Sequence, residues 1–230
     1  MGHHVLPGNP PVELSLRRSP RARRISLRVS GLDGRVTLTL PRGVPEAEAL
    51  DFAHTKADWL RAQLAQRPAT VTVTHGLEIP VEGRVMRIAQ GSGRRVVQDG
   101  ITLKVPGAPE TAAARLEGWL KARARDRLAA ASDHYAGLLG HGYSRITLRD
   151  TRSRWGSCSS SGALSYSWRL IMAPPEVLDY VAAHEVAHLA EMNHSPAFWA
   201  VVAQLMPGYG AHRAWLRREG GALHRYRFSD

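Results

Sequence analysis

The sequence predicts an α+β chain: a β-rich N-terminal region, residues 1–108, then a region of short strands and helices, residues 109–230, in which one helix carries a His-Glu-x-x-His segment. Three observations carry this. Short apolar or alternating runs, punctuated by turn glycines, fill most of the first hundred residues. The longest helical periodicity begins only beyond the Gly107-Ala108-Pro109 break. The 230 residues are 43% hydrophobic and 22% charged, enough for one large packed core or two small ones.

In the first region, residues 12–16, 24–29 and 36–40 read as strands, and Asp33-Gly34 predicts a hairpin between the last two. Residues 45–64 read as one helix with Phe52, Trp59, Leu60 and Leu64 as core positions, ended by Pro68. Residues 77–80, 85–89, 95–98 and 101–105 are further strands, with Gly83, Gly91, Gly93 and Gly100 as turn signals. Residues 112–139 read as a long helix rich in Ala, Leu and Arg. Residues 145–149 and 163–168 are strands around a polar Gly/Ser loop, 156–162. Pro174-Pro175 opens a helix to about Met192, because a first-turn proline lacks an N–H that the helix does not need there. Asn193 is expected to close it in the left-handed conformation. Ser195-Pro196 reads as an N-cap and first-turn proline of a helix to about Met206. Pro207-Gly208 breaks that helix, and residues 210–219 form the last one.

Composition excludes several classes. No apolar run approaches the ~18–20 residues of a membrane span, and residues 1–11 contain no apolar stretch of a secretory signal. Cys158 is the single cysteine, which excludes an intramolecular disulfide framework and a cysteine-based zinc site. A cytoplasmic setting is expected, without membrane contact. His3 and His4 receive no role. The net charge is +11 and the pI about 10.7. Of the 31 basic residues, 28 are arginine, with the excess at both ends of the chain. Such clusters attract phosphate, so a nucleotide or nucleic acid is a candidate partner, although the same charge also serves solubility.

The chemistry concentrates in His184-Glu185-Val186-Ala187-His188. Four residues at 100° each place the two imidazoles about 40° apart on one helix face, so both reach one ion. Glu185 is placed beside that ion as a general base for water, the arrangement of zinc hydrolases. A third ligand is needed. His194, ten residues after His184, is preferred and requires a sharp turn at Asn193. Glu191 competes, and suits better the task of orienting a ligand imidazole.

Around these residues, Arg154-Trp155-Gly156-Ser157-Cys158-Ser159, then 163–171, Pro174 and 184–199, the chain resembles the YgjP-like metallopeptidase family, itself similar to the SprT and WLM zinc metalloproteases. The basic stretch 17–29 resembles that family's opening, whereas residues 70–140 carry no sharp motif. The resemblance implies a zincin-type catalytic domain, Zn²⁺ held by His184, His188 and His194, and Glu185 as the catalytic residue. Metzincins also place a histidine ten residues on, but want glycine where this chain has Glu191.

The expected function is a zinc metallopeptidase that cleaves polypeptides with water activated by Glu185 at the zinc. An oxyanion needs a further stabiliser, for which Tyr209, Arg154, Arg152 and His212 are candidates. Arg154, Trp155 and Tyr209 are expected to contact substrate. The strand at 163–168 is a candidate for pairing with an extended peptide. Trp155, Trp168, Phe198 and Trp199 also read as plain core, and Cys158 as an inert buried thiol rather than a block on the metal. Two rivals stand beside this reading. One is a metal-dependent nucleoside triphosphate pyrophosphohydrolase using Arg17 to Arg28 or Arg152 and Arg154 on the phosphates. The other is a nucleic-acid-associated protease.

Overall fold

A computed structural model describes residues 2–30, 34–65 and 69–228. The architecture is α+β, as expected. The chain forms two compact units, Met1–Ala69 and Thr70–Asp230. The boundary expected after residue 108 falls inside the second unit, because the strands before it share a core with the helix after it: Leu103 and Val105 pack with Leu116 and Leu120.

In the first unit, β1 (Gly2–Leu6), β2 (Val12–Arg18), β3 (Ser26–Val29) and β4 (Val36–Leu40) form one sheet in the order β1-β2-β4-β3. β1 had no visible signal, since only Leu6 of its residues is buried. β3 and β4 are antiparallel with Val29 opposite Val36, the expected hairpin, and Gly34 has φ 70°; Asp33 lies outside the described residues. Alternation fixes the buried face, on which Val12, Leu14 and Leu16 of β2 lie beside Val36, Leu38 and Leu40 of β4.

Two helices, α1 (Glu46–Thr55) and α2 (Ala57–Ala65), add Ala49, Ala53 and Leu60 to this core. The single helix expected over 45–64 is broken at Lys56, whose N–H reaches back to the carbonyls of Ala53 and His54. After the break Leu60 is fully buried, but Trp59 is 46% exposed and is not a core residue. Phe52 and Leu64 pack at the margin. Pro68 lies outside the described residues.

The second unit opens with β5 (Val71–Thr72), then a sheet of β6 (Glu78–Val81), β7 (Arg84–Gly91), β8 (Val97–Asp99) and β9 (Thr102–Pro106) in the order β6-β7-β9-β8. Glu82 and Gly83, both at positive φ, make the two-residue turn between β6 and β7. The long helix α3 (Pro109–Leu139) buries Leu116, Leu120, Ala124 and Leu128 along one face and ends on the left-handed Gly140. A second sheet follows, from β10 (Arg145–Arg149), β11 (Gly156–Cys158) and β12 (Ala163–Ser167), with β12 in the centre.

Helix α4 (Pro175–Ala187) packs on α3 and β11, and on α5 (Pro196–Leu205) and α6 (Tyr209–Glu219). It is apolar nearly all round, as a helix enclosed on several sides must be. Finally β13 (Tyr226–Arg227) pairs in parallel with β5. Arg169, 8% exposed, ties this end down: it pairs with Asp150 at 2.7 Å and donates to the carbonyls of Leu223 and Tyr226. Among the described residues no helix is long and apolar enough to cross a membrane.

Candidate active site

Helix α4 stops sooner than the sequence suggested. Its last residue is Ala187, and His188 is the C-cap. The next turn is tightened by i→i+3 bonds, Leu189 N–H to Val186 and Ala190 N–H to Ala187. Asn193 does not take the left-handed conformation expected of it; Glu82 is the one non-glycine residue at positive φ among those described. The tightened turn performs the reversal instead. It also aims the Glu191 carbonyl at His188 Nδ1, 3.0 Å away. Glu191 therefore orients a candidate ligand, as anticipated, through its backbone rather than its carboxylate. Ser195 then caps α5 by accepting from Phe198 N–H at 3.3 Å, which fixes the residue after His194.

The result brings His184, His188 and His194 together, with one ligand-type atom of each within 4.8 Å of the others. His184 Nε2 and His194 Nε2 are 3.0 Å apart. Two imidazole nitrogens so close either share one proton or face one cation. The chemistry of the set favours a cation. Burial, and next the charges of His188 and His194, lower His184 to about 3; burial lowers His188 too, so both are neutral at pH 7 and offer lone pairs. With Nδ1 of His188 donating to Glu191, its Nε2 is left free to coordinate. Three imidazoles converging in this way fit the open, catalytic kind of zinc site. Phe198, fully buried, backs all three rings at centroid distances of 4.4–4.9 Å.

Glu185 is 5% exposed on the neighbouring face of α4. Burial pushes its carboxyl up to about 8, against the opposing pull of Arg154. Its space exists because residue 156 is glycine: a Cβ there would lie 2.5 Å from both Cγ and Oε1 of Glu185. The sequence places Gly156 in a loop, yet it begins β11, the strand against α4.

A cleft of about 450 Å³ opens over these groups, lined by Glu185, the three histidines, Arg154 and Trp155 among others. Tyr209, Arg152 and His212 do not line it. Tyr209 stacks instead on Trp199 at 5.5 Å and on Tyr180 at 6.1 Å. Tyr180 does line the cleft and went unnoticed, although it sits four residues before His184 and so on the same helix face. Trp168 is core, Trp199 is half-buried against His194, and Trp155 packs at the edge of Gly220 and His224. Cys158 lines the cleft outside the histidine cluster. Its thiol donates to Ser159 O, and burial, with the Glu185 charge, pushes its pKa up. The strand expected to pair with a peptide, β12, already has neighbours on both sides; among the described residues the edge strand at the cleft is β11.

A helix-borne pair of histidines and a third from the following turn form a group that could hold a metal ion, with a buried glutamate beside them in the same cleft. The chain belongs to the YgjP-like family: the profile of its metallopeptidase domain matches residues 23–219. No curated protein matches the chain. The crystal structure of the metallopeptidase zymogen of Pyrococcus abyssi abylysin is similar at 23% identity and a TM-score of 0.36, over 40% of this chain and 92% of that one. A likeness of that degree adds nothing to the family match.

Proposed function

We propose that the protein is a zinc-dependent peptidase in which His184, His188 and His194 hold the ion and Glu185 moves the protons. The observation that supports this best is the meeting of three imidazoles and one buried carboxyl in a single cleft. Zinc, when bound, supplies Lewis acidity that polarises a carbonyl and makes water more acidic.

The chain's own residues do the rest. Glu185 accepts a proton from the attacking water and passes it to the amine that leaves as the C–N bond breaks. Burial, which pushes the Glu185 pKa up, makes its ionised carboxylate a stronger base toward the water's proton. Arg154, the one of the four anticipated stabilisers that lines the cleft, offers its guanidinium to the oxyanion. The free edge of β11 offers backbone N–H and C=O groups to an extended peptide.

The test is Glu185→Gln. The variant is expected to retain one equivalent of zinc and to lose casein hydrolysis by several orders of magnitude. Hydrolysis at the parent rate would remove Glu185 from the mechanism, and a parent protein without stoichiometric metal would remove the mechanism altogether.

A further inference from the structure

Beside the cleft lies a surface that the peptidase reading does not use. On β10, Arg145, Thr147 and Arg149 alternate onto one face of the sheet. Across it the register aligns Thr147 with Ser165 of β12 and Ser165 with Ser157 of β11, a row of three hydroxyls. The face holds two shallow depressions of about 240 and 420 Å³, and Arg149, Arg154 and Ser157 line both. Arg154 and Ser157 also line the catalytic cleft, so cleft and face are continuous.

The charge balance on this face is one-sided. Among the described residues no carboxylate lines either depression. None of the three guanidinium groups is ion-paired or hydrogen-bonded among the described residues. The nearest acid in sequence, Asp150, is committed to Arg169. Elsewhere in the second unit arginines find acids: Arg123 and Arg127 share Glu82.

We infer that this face selects substrates whose chain carries Asp or Glu beside the scissile bond. The inference rests on the peptidase reading of the cleft, because the segment it binds is the continuation of the peptide held there. Arg145 and Arg149 are separated by four residues of strand, about 13 Å. Acidic side chains at alternate positions of an extended peptide repeat at about half that distance, so carboxylates four residues apart meet both guanidinium groups. The serine and threonine hydroxyls between them serve the intervening peptide groups. A polynucleotide fits less well, since no aromatic ring lines either depression to stack a base.

The experiment measures binding, not turnover. Full-length, zinc-loaded Glu185→Gln protein is titrated with a fluorescent peptide bearing Asp and Glu at alternate positions, and with its Asn/Gln counterpart. The acidic peptide is expected to bind about tenfold tighter at low salt, with the advantage shrinking as salt rises. Adding Arg145→Glu and Arg149→Glu should erase the preference; should that pair fail to fold by circular dichroism, Arg145→Gln with Arg149→Gln gives the same reading. Equal affinity for the two peptides, or a preference that survives these substitutions, overturns the inference. So does displacement of the acidic peptide by single-stranded DNA at lower concentration than by unlabelled peptide, which would assign the face to nucleic acid. Casein hydrolysis by the parent chain is read separately: its absence alongside an intact preference sinks the peptidase reading and not the acid-selective face.

Discussion

Replacing Gly156 with alanine tests the geometry of the site without removing a titratable group. The new methyl would stand 2.5 Å from Cγ and Oε1 of Glu185. Ordinary carbon–oxygen and carbon–carbon contact needs roughly 3.3–4 Å, so about 1 Å of movement is required. Glu185 is 5% exposed and enclosed by α4 and β11, so neither the side chain nor the strand yields freely. Overpacking of this kind costs about 1–3 kcal/mol, which in a chain of this size lowers Tm by about 2–10 °C. A catalytic group displaced by about 1 Å loses about a hundredfold in rate. The expected result in a casein assay is therefore a drop of about two orders of magnitude in kcat/KM. Zinc content, measured by elemental analysis, should be unchanged, because the three atoms nearest the new methyl all belong to Glu185. Turnover within a few-fold of the parent would refute the claim that Gly156 exists to seat Glu185.

Asp150→Asn removes the partner of a buried guanidinium. Fully buried pairs lose more, but the Asp150 side chain is 41% exposed, so about 2 kcal/mol is expected, read as a fall in Tm of about 5 °C. Burial raises the Asp150 pKa, but the hydrogen bonds and charge of Arg169 outweigh it, and the net shift is downward. Its contribution is therefore complete above the ordinary carboxylate value and fades as pH falls through the lower folded one. Acid titration of stability should show that decline in the parent, and the variant should lack this part of it. Ser195→Ala removes the cap of α5 and should cost about 1 kcal/mol. Zinc should then be lost to a chelator more readily, because His194 is the adjacent residue; unchanged retention would free His194 from dependence on the cap. Phe198→Ala empties the floor under three imidazoles and should cost about 3–5 kcal/mol in thermal melts.

Most of the site was legible because helix periodicity is rigid: His184 and His188 one turn apart had to share a face, and Glu185 had to flank them. His194 was legible by offset, but the means of its return was not. Asn193 offered a familiar left-handed stop, whereas the reversal lies in i→i+3 bonds around Leu189 and Ala190, which leave no mark on residue type. Tyr180 could have been found by the same counting that found the histidines. Gly156 could not, since the need for a missing Cβ appears only when β11 is set against α4. In the first unit the alternation of β2 and β4 was plain, while the break at Lys56 followed from packing and misplaced Trp59. The division at Ala69 was hidden because β6 to β9 look like more of the same β-rich region, and only the shared core with α3 reassigns them.

The pairing of β5 with β13 has a bearing on biosynthesis. Val71 stands near the start of the second unit and Tyr226 far along it, so this contact forms only after the whole chain between them has been made. The Arg169 guanidinium likewise waits for the carbonyls of Leu223 and Tyr226. The first unit, by contrast, draws its core entirely from its own residues and needs nothing that the ribosome has yet to add. During translation, then, the histidine cluster emerges before the scaffold around it has been fastened.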